Sequence, residues 1–166
     1  GRPRSRPSTT SSPGRPNATV DGSAWPTPPR RSQPTVLVVD ASALAVALVD
    51  DGPDGDLARS RLASEELAAP ALVDLEVTSA WRGLSRGGHL TPRRAALALT
   101  DLRDLPLQRV DHVGLLSRCW ELRNNLTLYD AAYVALAEAM DASLLTADAR
   151  LARASGLRCR VEVLAR

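Results

Sequence analysis

The hydrophobic pattern alternates along the chain between short continuous runs and longer stretches with apolar residues at helical spacing. Val36–Val39 is a run of β-branched residues and leucine, typical of a strand that is buried on both faces of a parallel sheet. Similar runs predict strands over 66–69, 107–110, 143–146 and 160–164. Helical spacing predicts helices over 41–49, 56–64, 71–86, 91–105, 113–123, 128–140 and 149–154. The alternation predicts an α/β fold in which helices cover both faces of a parallel sheet of about five strands.

Residues 1–34 lack this pattern. They hold eight of the twelve prolines, six arginines and a single acidic residue, Asp21. Because so little apolar surface cannot offset the entropy lost on ordering, we expect a disordered tail, translated ahead of the natural start rather than native. The alternative is a basic arm that touches nucleic acid. The folded domain is expected over residues 35–166, which contain 15 arginines and 18 acidic residues.

Composition excludes several classes of chemistry. All 21 basic residues are arginine, so Schiff-base chemistry and the lysine of a phosphate-binding P-loop are excluded. Aromatic residues make up 3% of the chain, which argues against stacking platforms for single-stranded nucleic acid. Cys119 and Cys159 have neither metal-ligand spacing nor a disulfide framework, as expected in a reducing compartment. With no apolar run near the length of a membrane span and no signal-peptide core, we expect a cytoplasmic protein with no membrane partner.

Two acidic residues stand at the carboxyl ends of predicted buried strands. Asp40 comes immediately after Val36–Val39, and Asp148 follows the strand predicted over 143–146. Each could cap the next helix, since Asp is a preferred N-cap residue. Ligands of parallel α/β folds bind beyond the carboxyl ends of the strands, so both carboxylates are expected to face one crevice. Capping explains each acid singly but not their shared location.

Two further acidic residues lie on predicted helices. Asp130 follows Thr127 by three residues, a spacing that also predicts a capping box with the carboxylate reaching back to a free backbone N–H. The helix after it is rich in alanine and valine and is expected to be buried on much of its surface. Glu76 lies four residues after Leu72, on or beside an apolar face. The alternative for Glu76 is a boundary position with its carboxylate in water.

Convergence of these four carboxylates would require a cation. Unpaired, they would repel one another, which raises their pKa values and destabilises the fold. Mg²⁺ prefers hard oxygen ligands, and one or two such ions activate water and stabilise charge on a phosphodiester. The acids therefore indicate a site for one or two divalent cations of this kind.

Other motifs point to rival sites. Residues 83–87 match the G-x-S-x-G pattern of serine hydrolases. That motif needs a strand before the serine and a helix after it, whereas these residues lie at the end of a predicted helix. His89 and His112 are not spaced as a metal pair and are expected on the surface. Four arginines near one helix–helix turn either form a solvated face or contact phosphates or an acidic partner segment. These are Arg82, Arg86, Arg93 and Arg94.

Four segments carry a family resemblance: VVDASAL at 38–44, APALVDLEV at 69–77, LYDAAYVALA at 128–137 and LLTADARL at 144–151. Their order and spacing resemble a PIN domain and, more narrowly, the VapC ribonuclease toxins of type II toxin–antitoxin pairs. The resemblance implies a PIN-like three-layer sandwich and an endoribonuclease that depends on Mg²⁺ or Mn²⁺. It also implies a homodimer, inhibition by a VapB-like antitoxin, and RNA products with a 5′-phosphate and a 3′-hydroxyl.

The resemblance assigns roles to individual residues. It makes Asp40 and Asp130 the firmest metal ligands, with the other two acids acting through water or a second ion. The family's acidic quartet is matched by Asp40, Glu76, Asp130 and Asp148, and its supporting hydroxyls by Ser42 and Thr146. The alternative is a catalytically silent PIN module that binds a protein or RNA partner. A receiver-type signalling domain also places acids around Mg²⁺, but it depends on a lysine that this chain lacks.

Overall fold

The structure, a computed structural model, describes residues 35–164; the tail expected over 1–34 lies outside the described residues. A five-stranded, all-parallel sheet forms the centre of the domain, with strand order β3-β2-β1-β4-β5. The strands are β1 (Val36–Val39), β2 (Glu66–Pro70), β3 (Leu107–Val110), β4 (Ser143–Thr146) and β5 (Val161–Val163). The predicted α/β class, the number of strands and their parallel direction are confirmed.

Six α-helices accompany the sheet. They are α1 (Ala41–Val49), α2 (Pro53–Leu62), α3 (Val73–Arg86), α4 (Pro92–Asp104), α5 (Leu116–Leu122) and α6 (Leu128–Ala139). Every residue of α6 from Ala131 to Ala137 is buried, as its alanine-rich sequence predicts. None of the helices within residues 35–164 has the length and apolar character to cross a membrane.

The sheet positions the chain's acids through its central strand. Strand β1 pairs in parallel with β2 on one side and β4 on the other, and Val39 lies opposite Leu145. The backbone N–H of Asp40 extends this ladder by one bond, donating to the Leu145 carbonyl at 2.9 Å. The strand order reverses between β1 and β4, and crevices open at such points beyond the carboxyl ends of the strands. Asp40 and Thr146 therefore lie side by side at this crevice.

Several predicted boundaries differ from the structure. Helix α2 begins at Pro53, not at 56, because proline suits the first helical position after the N-cap Gly52. Pro70 ends β2 instead of starting a helix; a strand end tolerates a residue without an N–H. The stretch predicted as one helix over 113–123 is a 3₁₀ turn followed by α5.

The helix predicted over 149–154 is only a 3₁₀ turn, Leu151–Arg153. The carboxylate of Asp148 accepts the backbone N–H of Arg150 at 2.8 Å. This local bond stabilises a turn at the point where an α-helix would otherwise begin.

Candidate active site

Asp40 is a buried carboxylate held by two hydroxyl groups. Although it stands at the N-cap position of α1, its side chain makes no capping hydrogen bond. Instead Ser42 Oγ and Thr146 Oγ1 each donate to Asp40 Oδ2 at 2.6 Å. The structure thus places both hydroxyls that the family resemblance singled out on this one acid.

The same two hydroxyls fix the start of the loop after β4. Ser42 Oγ accepts the backbone N–H of Ala147 at 2.9 Å, and Thr146 Oγ1 accepts that of Asp148 at 2.9 Å. Each hydroxyl therefore donates to Asp40 and accepts from the loop that carries Asp148. The ends of β1 and β4 are joined into one hydrogen-bonded unit.

Glu76, in the first turn of α3, is half-buried and bonded to α6. The Tyr133 hydroxyl donates to Glu76 Oε2 at 2.6 Å. Burial raises the pKa of Glu76, and the negative charges of Asp40 and Asp130 raise it further, while the bond from Tyr133 opposes the shift. Its carboxylate is therefore not a boundary group in open water, the alternative considered from the sequence.

Tyr133 is a member of the site that sequence reasoning missed. The side chain is 1% exposed, and burial followed by its bond to Glu76 raises the pKa of its hydroxyl, so it stays a proton donor. The available signal was its position as the one polar-tipped residue among the alanines, valine and leucine of residues 131–137. Buried tyrosines need a hydrogen-bond partner for the hydroxyl.

Asp130 opens α6 in a variant of the predicted capping box. Thr127 is the N-cap residue, and its Oγ1 accepts the Asp130 N–H at 3.1 Å. The sequence predicts that the Asp130 carboxylate accepts a hydrogen bond from a free backbone N–H. In the structure it accepts one from the Thr127 hydroxyl instead, at 2.7 Å between Oγ1 and Oδ2. The half-buried carboxylate of Asp130 is therefore tied to the N-cap residue at the start of α6.

Asp148 is paired with Arg150, two residues along the chain. Arg150 Nε lies 3.1 Å from both carboxylate oxygens, and its Nη2 lies 2.8 Å from Oδ2. The hydrogen bond from this guanidinium is the largest cause that lowers the pKa of Asp148. Arg150 is a second residue that the sequence did not single out.

Two of the four acids line one cleft, and Glu76 interacts through charge with Asp130 and with Asp40, but the four do not form a ready ligand set. A cleft of about 480 Å³ is bounded by Asp130, Asp148, Arg123 and Arg150, and the charges of Asp40 and Asp130 both act on Glu76. Yet within residues 35–164 no three acidic, histidine or cysteine side chains already stand where they could hold one metal ion. Because like charges repel, each carboxylate turns to a hydroxyl or guanidinium partner instead.

The donor chemistry nevertheless fits a hard divalent cation. All four groups are carboxylates, the ligands that Mg²⁺ and Mn²⁺ prefer. Both hydrogen bonds to Asp40 from the described residues end on Oδ2. Since no buried side-chain oxygen or nitrogen there lacks a hydrogen-bond partner, Oδ1 is accessible to solvent and to a ligand.

The predicted arginine group divides into two kinds. Arg82, Arg86 and Arg93 are exposed, whereas Arg94 Nη2 donates to the carbonyl of Leu48 at 2.7 Å and ties α4 to α1. Arg86 lies ten residues beyond Glu76 on α3, about 15 Å along the helix axis. Arg86 therefore lies at the end of α3 that is far from Glu76.

The rival motifs find no support in the structure. Residues 83–87 lie at the end of α3 with no strand before them, so the G-x-S-x-G match is not a nucleophile elbow. His89 and His112 are both exposed, as expected.

Comparisons with known proteins agree with this geometry. The family profile of the PIN domain matches residues 37–157. Ribonuclease VapC9 of Mycobacterium tuberculosis is 44% identical over 131 residues, which cover 79% of this chain and 100% of VapC9.

Solved structures share the fold. The crystal structure of PAE2754 from Pyrobaculum aerophilum has a TM-score of 0.58 and 24% identity, covering 78% of this chain and 84% of that one. A toxin–antitoxin complex from Klebsiella pneumoniae has a TM-score of 0.53 and 19% identity, covering 78% of this chain and 98% of that one. The chain therefore belongs to the PIN-domain family and, within it, to the VapC ribonucleases, enzymes that cleave RNA.

Proposed function

We propose that this chain is a metal-dependent endoribonuclease that acts as the toxin of a toxin–antitoxin pair. The observation that carries the proposal is the buried Asp40 carboxylate at the carboxyl end of β1. The hydroxyls of Ser42 and Thr146 hold Oδ2 of Asp40, while Oδ1 stays accessible. The negative charge of Asp40 also raises the pKa of Glu76. A carboxylate desolvated and oriented in this way is suited to binding a cation.

The four acids would bind Mg²⁺ or Mn²⁺ in different ways. Asp40 and Asp130 supply the firmest oxygens, and Glu76 and Asp148 act through water or a second ion. When bound, the cation supplies an activated water and stabilises charge on the phosphodiester. Tyr133 holds Glu76 in place, and Ser42 and Thr146 orient Asp40. The expected products carry a 5′-phosphate and a 3′-hydroxyl.

Purified protein should cleave RNA internally when Mg²⁺ or Mn²⁺ is present and stop when EDTA is added in excess, because the carboxylates alone cannot activate water. We expect recovery when the cation is restored. End-labelled RNA on a sequencing gel, with phosphatase and ligase treatment of the fragments, reports the ends produced. Cleavage unaffected by EDTA would contradict the metal requirement, and no cleavage with either cation would favour a silent binding module.

A homodimer is expected through an apolar face next to the crevice. This face surrounds a groove of about 580 Å³ between α5 and α6. We call the residues that line this groove the apolar face; they include Leu72, Leu116, Trp120, Leu128 and Tyr129. In a twofold contact each surface patch meets itself, so a patch without charge is self-complementary whereas a charged one repels its copy. Large exposed apolar patches commonly mark such contacts.

The apolar face is continuous with the crevice. Tyr129 directly precedes Asp130, and the guanidinium of Arg123 lies 4.8 Å from the centre of the Trp120 ring while also lining the crevice. A second copy seated here would lie beside both crevices and could add its own arginines. That addition would help a mildly acidic domain to bind RNA.

Leu116→Glu should convert the dimer to a monomer, because the new carboxylates would meet across the twofold axis and lose their hydration. Size-exclusion chromatography with light scattering measures the mass directly. Leu97→Glu is the matched control, since Leu97 is an exposed leucine on α4. A wild-type protein that is monomeric at all concentrations, or an equal effect of both variants, would contradict the assigned face.

The antitoxin partner is proposed to be VapB-like. The exposed Arg82, Arg86 and Arg93 offer positive charge to an acidic segment of such a partner. We place the protein in the cytoplasm, where RNA is available and where the free thiols Cys119 and Cys159 would stay reduced.

A further inference from the structure

The pairing of Arg150 with Asp148 raises a conflict within the crevice. The guanidinium spans both oxygens of Asp148, with Nε and Nη2 at 2.8–3.1 Å from them. A divalent cation needs lone pairs of those same oxygens. Guanidinium and cation therefore compete for Asp148.

Arg150 is free to leave this carboxylate. Its side chain is 86% exposed, and its side-chain hydrogen bonds to the described residues all go to Asp148. The backbone N–H of Arg150 holds Asp148 Oδ1 separately, at 2.8 Å. Asp148 would thus keep its orientation when the guanidinium departs.

The surroundings of Arg150 indicate where the guanidinium would go. It lines the same cleft as Asp130 and interacts with the charge of that acid as well as with Asp148. Arg123 lies along the same cleft. An RNA strand crossing the acids must bring a phosphate within reach of these guanidinium groups, which bind phosphate oxygens with two parallel hydrogen bonds.

We propose that Arg150 exchanges partners: it neutralises Asp148 in the metal-free protein and binds a phosphate of the RNA once a divalent cation occupies Asp148. The inference rests on the proposed function: its first half on the proposed cation site and its second half on the proposed cleavage of RNA. The exchange keeps Asp148 neutralised before the cation arrives, and it supplies a positive charge to the substrate only when the site is loaded. Arg150 is then a substrate-binding residue in addition to a counter-ion.

The first experiment measures metal binding without RNA. Arg150→Gln should bind Mn²⁺ about two- to fivefold more tightly than wild type in calorimetric titration, since exposed ion pairs are worth about that much. Arg103→Gln is the matched control, because Arg103 is exposed and lies on α4. An unchanged or weaker Mn²⁺ affinity in Arg150→Gln, or an equal gain in the control, would overturn the exchange.

The second experiment measures the phosphate contact. In wild type the logarithm of kcat/KM should fall with the logarithm of salt concentration, and Arg150→Gln should reduce that slope by about 0.7, the value of one lost phosphate contact on a single strand. Arg150→Lys should retain the slope, because it keeps the charge. If Arg150→Gln had the same salt dependence of kcat/KM as wild type, the proposed contact of Arg150 with an RNA phosphate would be overturned. If wild type cleaves no RNA, the proposed function fails, but the Mn²⁺ titration still decides the competition for Asp148.

Discussion

Asp40→Asn is expected to lower RNA cleavage by about 10³-fold or more while leaving the fold intact. The substitution removes the charge that attracts the cation, and stabilisation of the reacting phosphodiester by a metal is worth several kcal/mol. Asparagine keeps the size of the side chain. Because hydroxyl groups rotate, Ser42 and Thr146 can still hydrogen-bond to the new amide as donors or acceptors.

Three measurements check this prediction: initial rates on a labelled RNA, the circular dichroism spectrum, and the melting temperature. The matched control is Asp111→Asn. Asp111 also follows a strand of the sheet, β3, but it is exposed and its carboxylate accepts the N–H of Val113. The control should retain wild-type activity. Wild-type cleavage by Asp40→Asn, or equal loss in both variants, would remove Asp40 from the site.

Much of the site follows from where strands end in the sequence. Asp40 and Asp148 could be located without coordinates because an uninterrupted apolar run marks a strand buried on both faces, and the first one or two residues after it lie at the crevice. The parallel pairing of β1 with β4 then brings Thr146 to Asp40. These are consequences of topology, which the alternation of strands and helices predicts.

The remaining contacts depend on side-chain packing, which no short pattern encodes. Tyr133 and Glu76 are 57 residues apart, and their bond exists only because the fold brings the first turn of α3 next to α6. The pairing of Arg150 with Asp148 is local, but it competes with a helix start that the sequence also favours. The apolar face could not be predicted either, since it joins residues of several segments and the chain as a whole has few aromatics.

Glu76→Gln is expected to stabilise the metal-free protein and to lower RNA cleavage by about 10²-fold. Glutamine carries no charge to be repelled by Asp40 and Asp130, while its amide oxygen can still accept the Tyr133 hydrogen bond. Relief of strain at a functional site commonly raises stability by about 0.5–2 kcal/mol. For a domain of this size, that gain corresponds to a rise of a few degrees in melting temperature.

The gain should depend on pH with a defined sign. Burial raises the pKa of Glu76 above its usual value of 4.5, so the folded protein binds this proton more tightly than the unfolded chain does. The stability that the proton contributes to wild type is present below the unfolded pKa and is lost as the pH rises through the folded pKa. Glutamine behaves like the protonated acid at every pH. The two proteins should therefore have equal stability near about pH 4 and differ most near neutrality.

Urea unfolding of both proteins across this pH range, with EDTA present, measures the difference. Adding Mg²⁺ should then stabilise wild type more than Glu76→Gln, because a ligand that binds only the folded state stabilises it more when its affinity is higher. A variant less stable than wild type at neutral pH would mean that the charged hydrogen bond to Tyr133 outweighs the repulsion. In that case Glu76 would be a structural residue, and the crevice would hold three functional acids rather than four.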